Sequence, residues 1–175
     1  MTSAGRPFSA ATAAQLEGDY YRYHQRLAEQ LAALRYAIEQ LGADPPKRLA
    51  ALLRSHREDP RAAAQLASVT WALVQAHEAL MGALERAARL AGLNPTLKPM
   101  TSNETISALR DSRQVAKPVI NALTELNRRR NDLVHEFPTV TPDKLLATIQ
   151  LTLHFGRYTE SFAKLMAAAG LTPQS

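Results

Sequence analysis

Residues 15–42 read QLEGDYYRYHQRLAEQLAALRYAIEQLG. Leu16, Tyr20, Tyr23, Leu27, Leu31, Leu34, Ile38 and Leu41 fall three or four residues apart, so the stretch predicts one long amphipathic helix. Gly42 follows as a stop, and Gly18 is expected to interrupt the first turns. The same period runs outward through the chain. Asp44-Pro45 and Asp59-Pro60 each read as a cap followed by a first-turn proline, opening a short helix over 45–57 and a long one over 60–91. The long one carries Leu66, Val69, Leu73, His77, Leu80 and Leu84 on its core stripe, with Trp71 beside it as packing. Gly92-Leu93-Asn94-Pro95 ends it, and a loop runs to Pro99. Thr101 and Glu104 have capping-box spacing ahead of a short helix through Ile106 and Leu109. Pro118 lies early in the next helix, which runs to Phe137 and is stopped by Pro138. Thr141-Pro142 opens a last helix with Leu151, Phe155, Tyr158, Phe162 and Leu165 on one face, closed by Gly170.

No segment alternates apolar and polar residues as a strand does, and there is no internal repeat or glycine-rich phosphate loop. The expected fold is all-α: an up-down bundle of four main helices and one or two short ones. A single domain over residues 1–175 is expected, with 1–10 and 171–175 as flexible ends.

Composition narrows the function. The chain is 46% hydrophobic and 21% charged, which excludes a disordered polymer. It has no cysteine, which removes disulfides, thiolate zinc sites, iron–sulfur clusters and a cysteine nucleophile. Residues 1–15 lack the apolar core of a secretory signal, and no apolar run approaches the roughly 20 residues of a membrane span. A cytoplasmic protein with no membrane partner is expected. The net charge of +5 is carried mostly by arginine, whose planar fork binds phosphate, so the balance is compatible with a nucleic-acid partner.

One segment concentrates the chemistry: Leu126-Asn127-Arg128-Arg129-Arg130-Asn131-Asp132-Leu133-Val134-His135-Glu136-Phe137. The core stripe of its helix reads Val119, Leu123, Leu126, Arg130, Leu133, Phe137, so Arg130 stands where a leucine is expected. A guanidinium on an apolar stripe costs free energy unless it is paired, and broken local rules tend to mark functional sites. A second, polar line holds Asn121, Thr124, Arg128, Asn131 and His135. Asn131 and His135 are one turn apart, but Arg130 and His135 are five residues apart, about 140° around a straight helix. Either the helix is irregular here, or two chains supply the two groups.

The run Arg130-Asn131-Asp132-Leu133-Val134-His135 resembles the signature of the HEPN superfamily: an arginine, four to six residues, then a histidine, with a polar residue after the arginine. None of His24, His56, His77 and His154 has an arginine at that spacing, whereas His135 has Arg128, Arg129 and Arg130. HEPN domains are helical bundles of about this size, and many are metal-independent ribonucleases of toxin–antitoxin, abortive-infection and CRISPR-linked systems. Their sites typically form between two domains. The resemblance implies a homodimeric endoribonuclease with no cofactor and no metal. Arg130 would bind the scissile phosphate, His135 act as acid and base, and Asn131 support them. Arg128, Arg129, Thr124 and Asp132 are the further substrate-binding candidates. RNA is the implied partner, tRNA or mRNA, with an antitoxin protein where the chain is a toxin. Toxins neutralised by nucleotidyltransferases often carry a tyrosine two residues after the histidine, where this chain has Phe137.

Plainer readings stand beside each of these. Arg128 to Arg130 can form a solvated basic patch paired with Glu125 and Asp132, and His135 can cap the last carbonyls of its helix. Asp132 and His135 have the i, i+3 spacing of a bundle metal pair, but no partner pair accompanies them. His77 reads as a buried, hydrogen-bonded core histidine. His24 lies within Tyr20-Tyr21-Arg22-Tyr23-His24, whose tyrosines suit core or interface packing better than base stacking. The competing overall function is a non-catalytic HEPN-like module for binding or dimerisation.

Overall fold

The helix starts follow their capping residues. In the computed structural model, which describes residues 8–94, 96, 98–135 and 140–172, the Asp44 side chain accepts from the Lys47 N–H and Pro45 opens α2 (Pro45–Ser55). Asp59 accepts from the Arg61 N–H at the start of α3 (Pro60–Leu90). Thr101 and Glu104 form the reciprocal capping box of α4 (Ser102–Ser112), and Thr141 caps α6 (Pro142–His154). Gly42 and Gly92 end their helices at φ of 80° and 76°, a left-handed conformation costly for residues with a side chain. Among the described residues every regular element is a helix and the fold is all-α. No helix there is long and apolar enough to cross a membrane. Pro95, Phe137 and Pro138, read above as helix ends, lie outside the described residues, as does the side chain of Tyr158.

Three expectations change. Gly18 does not interrupt α1 (Ala10–Glu39), which runs unbroken through it. The glycine penalty, about 1 kcal/mol, is small against a stripe that buries Leu16, Tyr20, Leu27, Leu31 and Leu34. The last helix is not continuous: α6 gives way to a 3-10 turn (Phe155–Arg157), then α7 (Tyr158–Ser161) and α8 (Ala163–Ala169). Gly156 sits in that turn with Arg35 close over its backbone; a Cβ there would come within 2.9 Å of Arg35 Nη2. The tail is packed as far as Leu171, which is buried and donates its N–H to the Met166 carbonyl.

The chain divides into two compact units, and α1, α3 and α5 (Lys117–His135) each contribute to both. The first comprises the chain up to Gln25, Ala79–Thr124 and the residues from 157 onward. Here the Tyr23 ring lies on Gly82, so close that a Cβ would stand 2.6 Å from it, and the Arg86 guanidinium covers the ring 4.8 Å from its centroid. The Tyr20 hydroxyl donates to Met166 Sδ at 3.1 Å. Glu85 is buried, paired with Arg86 at 2.9 Å and Arg89 at 3.5 Å, and accepts the Met100 N–H at 3.2 Å. That carboxylate ties the loop after α3 to the unit.

The second unit comprises Arg26–Glu78 and Glu125–Gly156. Its core joins Leu34 and Leu41 of the α1 end, Leu49 and Leu52 of α2, Leu66, Val69 and Leu73 of α3, Leu133 of α5, and Leu145 and Ile149 of α6. All the motif residues but Thr124 belong to this unit.

Candidate functional site

The last ten residues of α5 carry the motif on a continuous helix. Leu126 and Leu133 are buried, and Arg130 between them on the stripe is half-buried. Its charge is met from α3: Arg130 Nη2 donates to Glu78 Oε1 at 3.1 Å. Nη1 donates to Asn131 Oδ1 at 3.3 Å, while Nε, buried, has no hydrogen-bond partner among the described residues. Glu78 Oε2 accepts from Gln75 Nε2 at 3.3 Å, and Gln75 Oε1 in turn accepts from Arg26. A polar chain therefore runs Arg26–Gln75–Glu78–Arg130–Asn131 through the unit.

His77 lies behind this chain and is buried. Burial chiefly, and then the nearby Arg130 charge, push its pKa from the ordinary 6.5 to about 4. The Asn127 side chain favours the charged form, yet neither ring nitrogen completes a hydrogen bond of good geometry. His77 is thus a core histidine as expected, with the Asn127 side chain beside its ring, and it is neutral at pH 7.

The other arginines face elsewhere. Arg128 is gripped by Glu125 at 2.8 Å and Asp132 at 3.0 Å, and Arg129 Nε donates to Glu125 Oε1 at 2.6 Å. Hydrogen bonds from Arg128, then Arg129, hold the Glu125 carboxyl down to about 2. Arg128, Arg129 and Asp132 line a small cavity of about 180 Å³ with Lys144 and Thr148. The Thr124 hydroxyl donates to the Ile120 carbonyl at 2.8 Å and accepts from Arg110 at 3.4 Å, and Thr124 belongs to the first unit.

His135 is the last residue of α5 and is exposed. It makes no hydrogen bond or ion pair with a described residue, and on this unbroken helix it stands about 140° from Arg130. Asn131 is exposed one turn before it. The structure thus brings together Arg130 and Asn131, and separately Arg128, Arg129 and Asp132; within one chain His135 follows Asn131 and Asp132 by about one turn but stands about 140° around the helix from Arg130. No group of three or more histidine, aspartate and glutamate side chains gathers as a metal site among the described residues.

A larger groove of about 700 Å³ opens beside Arg130. Leu66, Trp71 and Val74 of α3 and Leu133 and Val134 of α5 form its apolar walls, with Glu78 and Arg130 among them. Trp71, expected as packing, is 65% exposed. Val69 and Leu73 are both buried, and a position two residues from each points to the opposite side of the helix. His24 is half-buried, its pKa lowered by that burial, and it stacks at 6.0 Å on the buried Tyr20 ring.

Sequence reasoning missed Glu78, Gln75 and the proximity of His77 to Arg130. Fifty-two residues separate Glu78 from Arg130, and no local pattern links them. The unpaired arginine on the stripe was the one available signal that a carboxylate must meet it. Comparison with protein-family models, with curated proteins and with solved structures finds no match to this chain.

Proposed function

We propose that this chain is a metal-independent endoribonuclease of the HEPN type, acting in the cytoplasm in toxin–antitoxin or anti-phage defence. The observation that carries the reading is Arg130: a guanidinium on a core stripe, in contact with the next-residue Asn131 and four intervening residues before a solvent-facing histidine. In the reaction the RNA 2′-oxygen attacks the adjacent phosphorus and the bond to the 5′-oxygen breaks. A base takes the 2′-hydroxyl proton and an acid gives one to the departing 5′-oxygen. An imidazole can take or give that proton, and His135 is assigned both roles. Arg130 holds the non-bridging oxygens as negative charge gathers on them. The products are a 2′,3′-cyclic phosphate and a 5′-hydroxyl, and DNA is left intact.

The angular separation of Arg130 and His135 favours a site shared by two copies of the chain, each giving one group to the other's. An isologous dimer supplies two such sites. Incubation of purified protein with total RNA or tRNA in EDTA, with His135→Ala as control, tests this. Cleavage by the wild type alone is expected, and equal cleavage by both or none by either overturns it.

The Arg130–Glu78 pair favours a second reading, a non-catalytic HEPN-like helical module in which Arg130 is structural. It predicts that Arg130→Ala lowers the melting temperature or changes the sizing profile, with no nuclease activity to lose.

A further inference from the structure

We infer that the groove beside Arg130 is a nucleotide subsite, in which Trp71 stacks on a base of single-stranded RNA and Arg130 takes the neighbouring phosphate in place of Glu78. The inference rests on the ribonucleic-acid reading above and extends it along α3 from Glu78, which Arg130 meets, to Trp71. Three observations carry it.

The first is the state of the guanidinium. Nε and Nη2 form the side-on fork with which arginine grips two oxygens of one anion. Glu78 fills Nη2 alone, and Nε, which is buried, has no acceptor among the described residues. A buried donor left unsatisfied is costly, and a phosphate, with two oxygens to present, answers both arms. The Glu78 carboxylate is therefore an anionic placeholder at half of a two-oxygen site. Its side chain is 43% exposed, which leaves it free to turn out to water when displaced.

The second is the aromatic. Trp71 is the chain's one tryptophan, and it stands 65% exposed on the wall of an apolar groove. Large exposed aromatics on concave apolar walls mark binding sites, and an indole face accepts any base by stacking. The third is register. Trp71 and Glu78 are seven residues apart on α3, on the same side of the helix and about 10 Å apart along it. Arg130 meets Glu78 directly, so the groove offers a stacking face and a cationic fork about two turns apart. A base and the phosphate of the adjoining nucleotide span such a separation. The charge complementarity is local: phosphate to Arg130, base to Trp71, with Leu66, Val74 and Val134 excluding water between them.

The single tryptophan makes the site its own reporter. Full-length wild-type protein is titrated with a 2′-O-methyl RNA decamer, which keeps the ribose and phosphates but lacks the attacking hydroxyl. Saturable quenching of tryptophan fluorescence is expected. Anisotropy of a labelled decamer is expected to show binding about 5- to 150-fold weaker for Trp71→Ala, the range of one lost stacking contact, and largely retained for Trp71→Phe. Glu78→Gln, which releases the fork, is expected to bind more tightly than wild type. Three results overturn the inference: no binding of the decamer, binding without quenching and unchanged in Trp71→Ala, or a tryptophan signal that follows protein concentration with dimer lost in Trp71→Ala, which assigns the groove to a second copy of the chain. Cleavage is scored apart from these. Quenching without cleavage of unmodified RNA keeps this subsite and removes the nuclease reading. Cleavage equal in wild type and Trp71→Ala keeps the nuclease and removes the subsite.

Discussion

His77 predicts how the second unit responds to acid. Its imidazole is buried, pressed by the Arg130 charge and without a well-formed hydrogen bond, and its pKa falls from 6.5 to about 4. The folded chain therefore resists protonation that the unfolded chain accepts. Between pH 6.5 and 4 the unfolded state binds more protons, so stability rises with pH through that window and is lost as pH falls through it. With those two values the linkage amounts to about 2 kcal/mol lost at pH 5 and about 3 kcal/mol by pH 4, relative to pH 7. Glu125 destabilises in acid as well: its carboxyl is held down from 4.5 to about 2, so that loss begins as pH falls through about 4.5 and overlaps only the acid end of the His77 window, where it is shared by wild type and variant and drops out of their difference. The perturbation is His77→Leu, which keeps an apolar volume on a core stripe and removes the titrating group. Urea unfolding of wild type and variant is followed at pH 7, 6, 5 and 4. The variant is expected to equal or exceed the wild type at pH 7, because no good hydrogen bond is lost, and to exceed it by about 2 kcal/mol at pH 5. A wild-type minus variant difference that stays flat from pH 7 to 4 would refute the reasoning, since His77 would then titrate alike in the folded and the unfolded chain.

Two further substitutions test the packing of the first unit. Gly82→Ala drives a methyl into the Tyr23 ring, where a Cβ stands 2.6 Å from ring carbons, and is expected to cost about 1–3 kcal/mol in thermal or urea melts; Tyr23→Leu in the same chain should recover part of it. Glu85→Ala leaves Arg89 buried without its carboxylate and the Met100 N–H without an acceptor, for an expected loss of about 3–5 kcal/mol by urea titration. An effect of Glu85→Ala within 0.5 kcal/mol, as for an ordinary surface site, would mean the pair is solvated.

The helices were legible because caps and stripes are local. Asp44-Pro45, Thr101 with Glu104 and Thr141-Pro142 each act within four residues, and each stands at the helix start its spacing predicts. The break after His154 was hidden, because Phe155, Phe162 and Leu165 keep an apolar spacing while the chain turns at Gly156 beneath a guanidinium from α1. Trp71 was misread for a related reason: aromatics adjoining a core stripe are usually buried, and here the indole lies two residues off it. At the site, Arg130 announced itself by occupying a leucine's place. Its partner did not, because Glu78 sits on an exposed face of α3 where a glutamate is unremarkable. The run Arg128-Arg129-Arg130 looked like one basic patch. The helix splits it, turning the first two toward Glu125 and Asp132 and the third toward α3.

In the proposed nuclease, Arg130 and His135 act together across two copies of the chain. Mixing two inactive variants tests it most directly: Arg130→Ala and His135→Ala protein, each silent alone, are combined one to one, allowed to exchange subunits, and assayed on RNA in EDTA. Random pairing makes half of the dimers mixed, and each mixed dimer holds one intact site of two, so about a quarter of wild-type cleavage should return. Activity that stays at the level of the separate variants, with subunit exchange verified, would contradict the shared site.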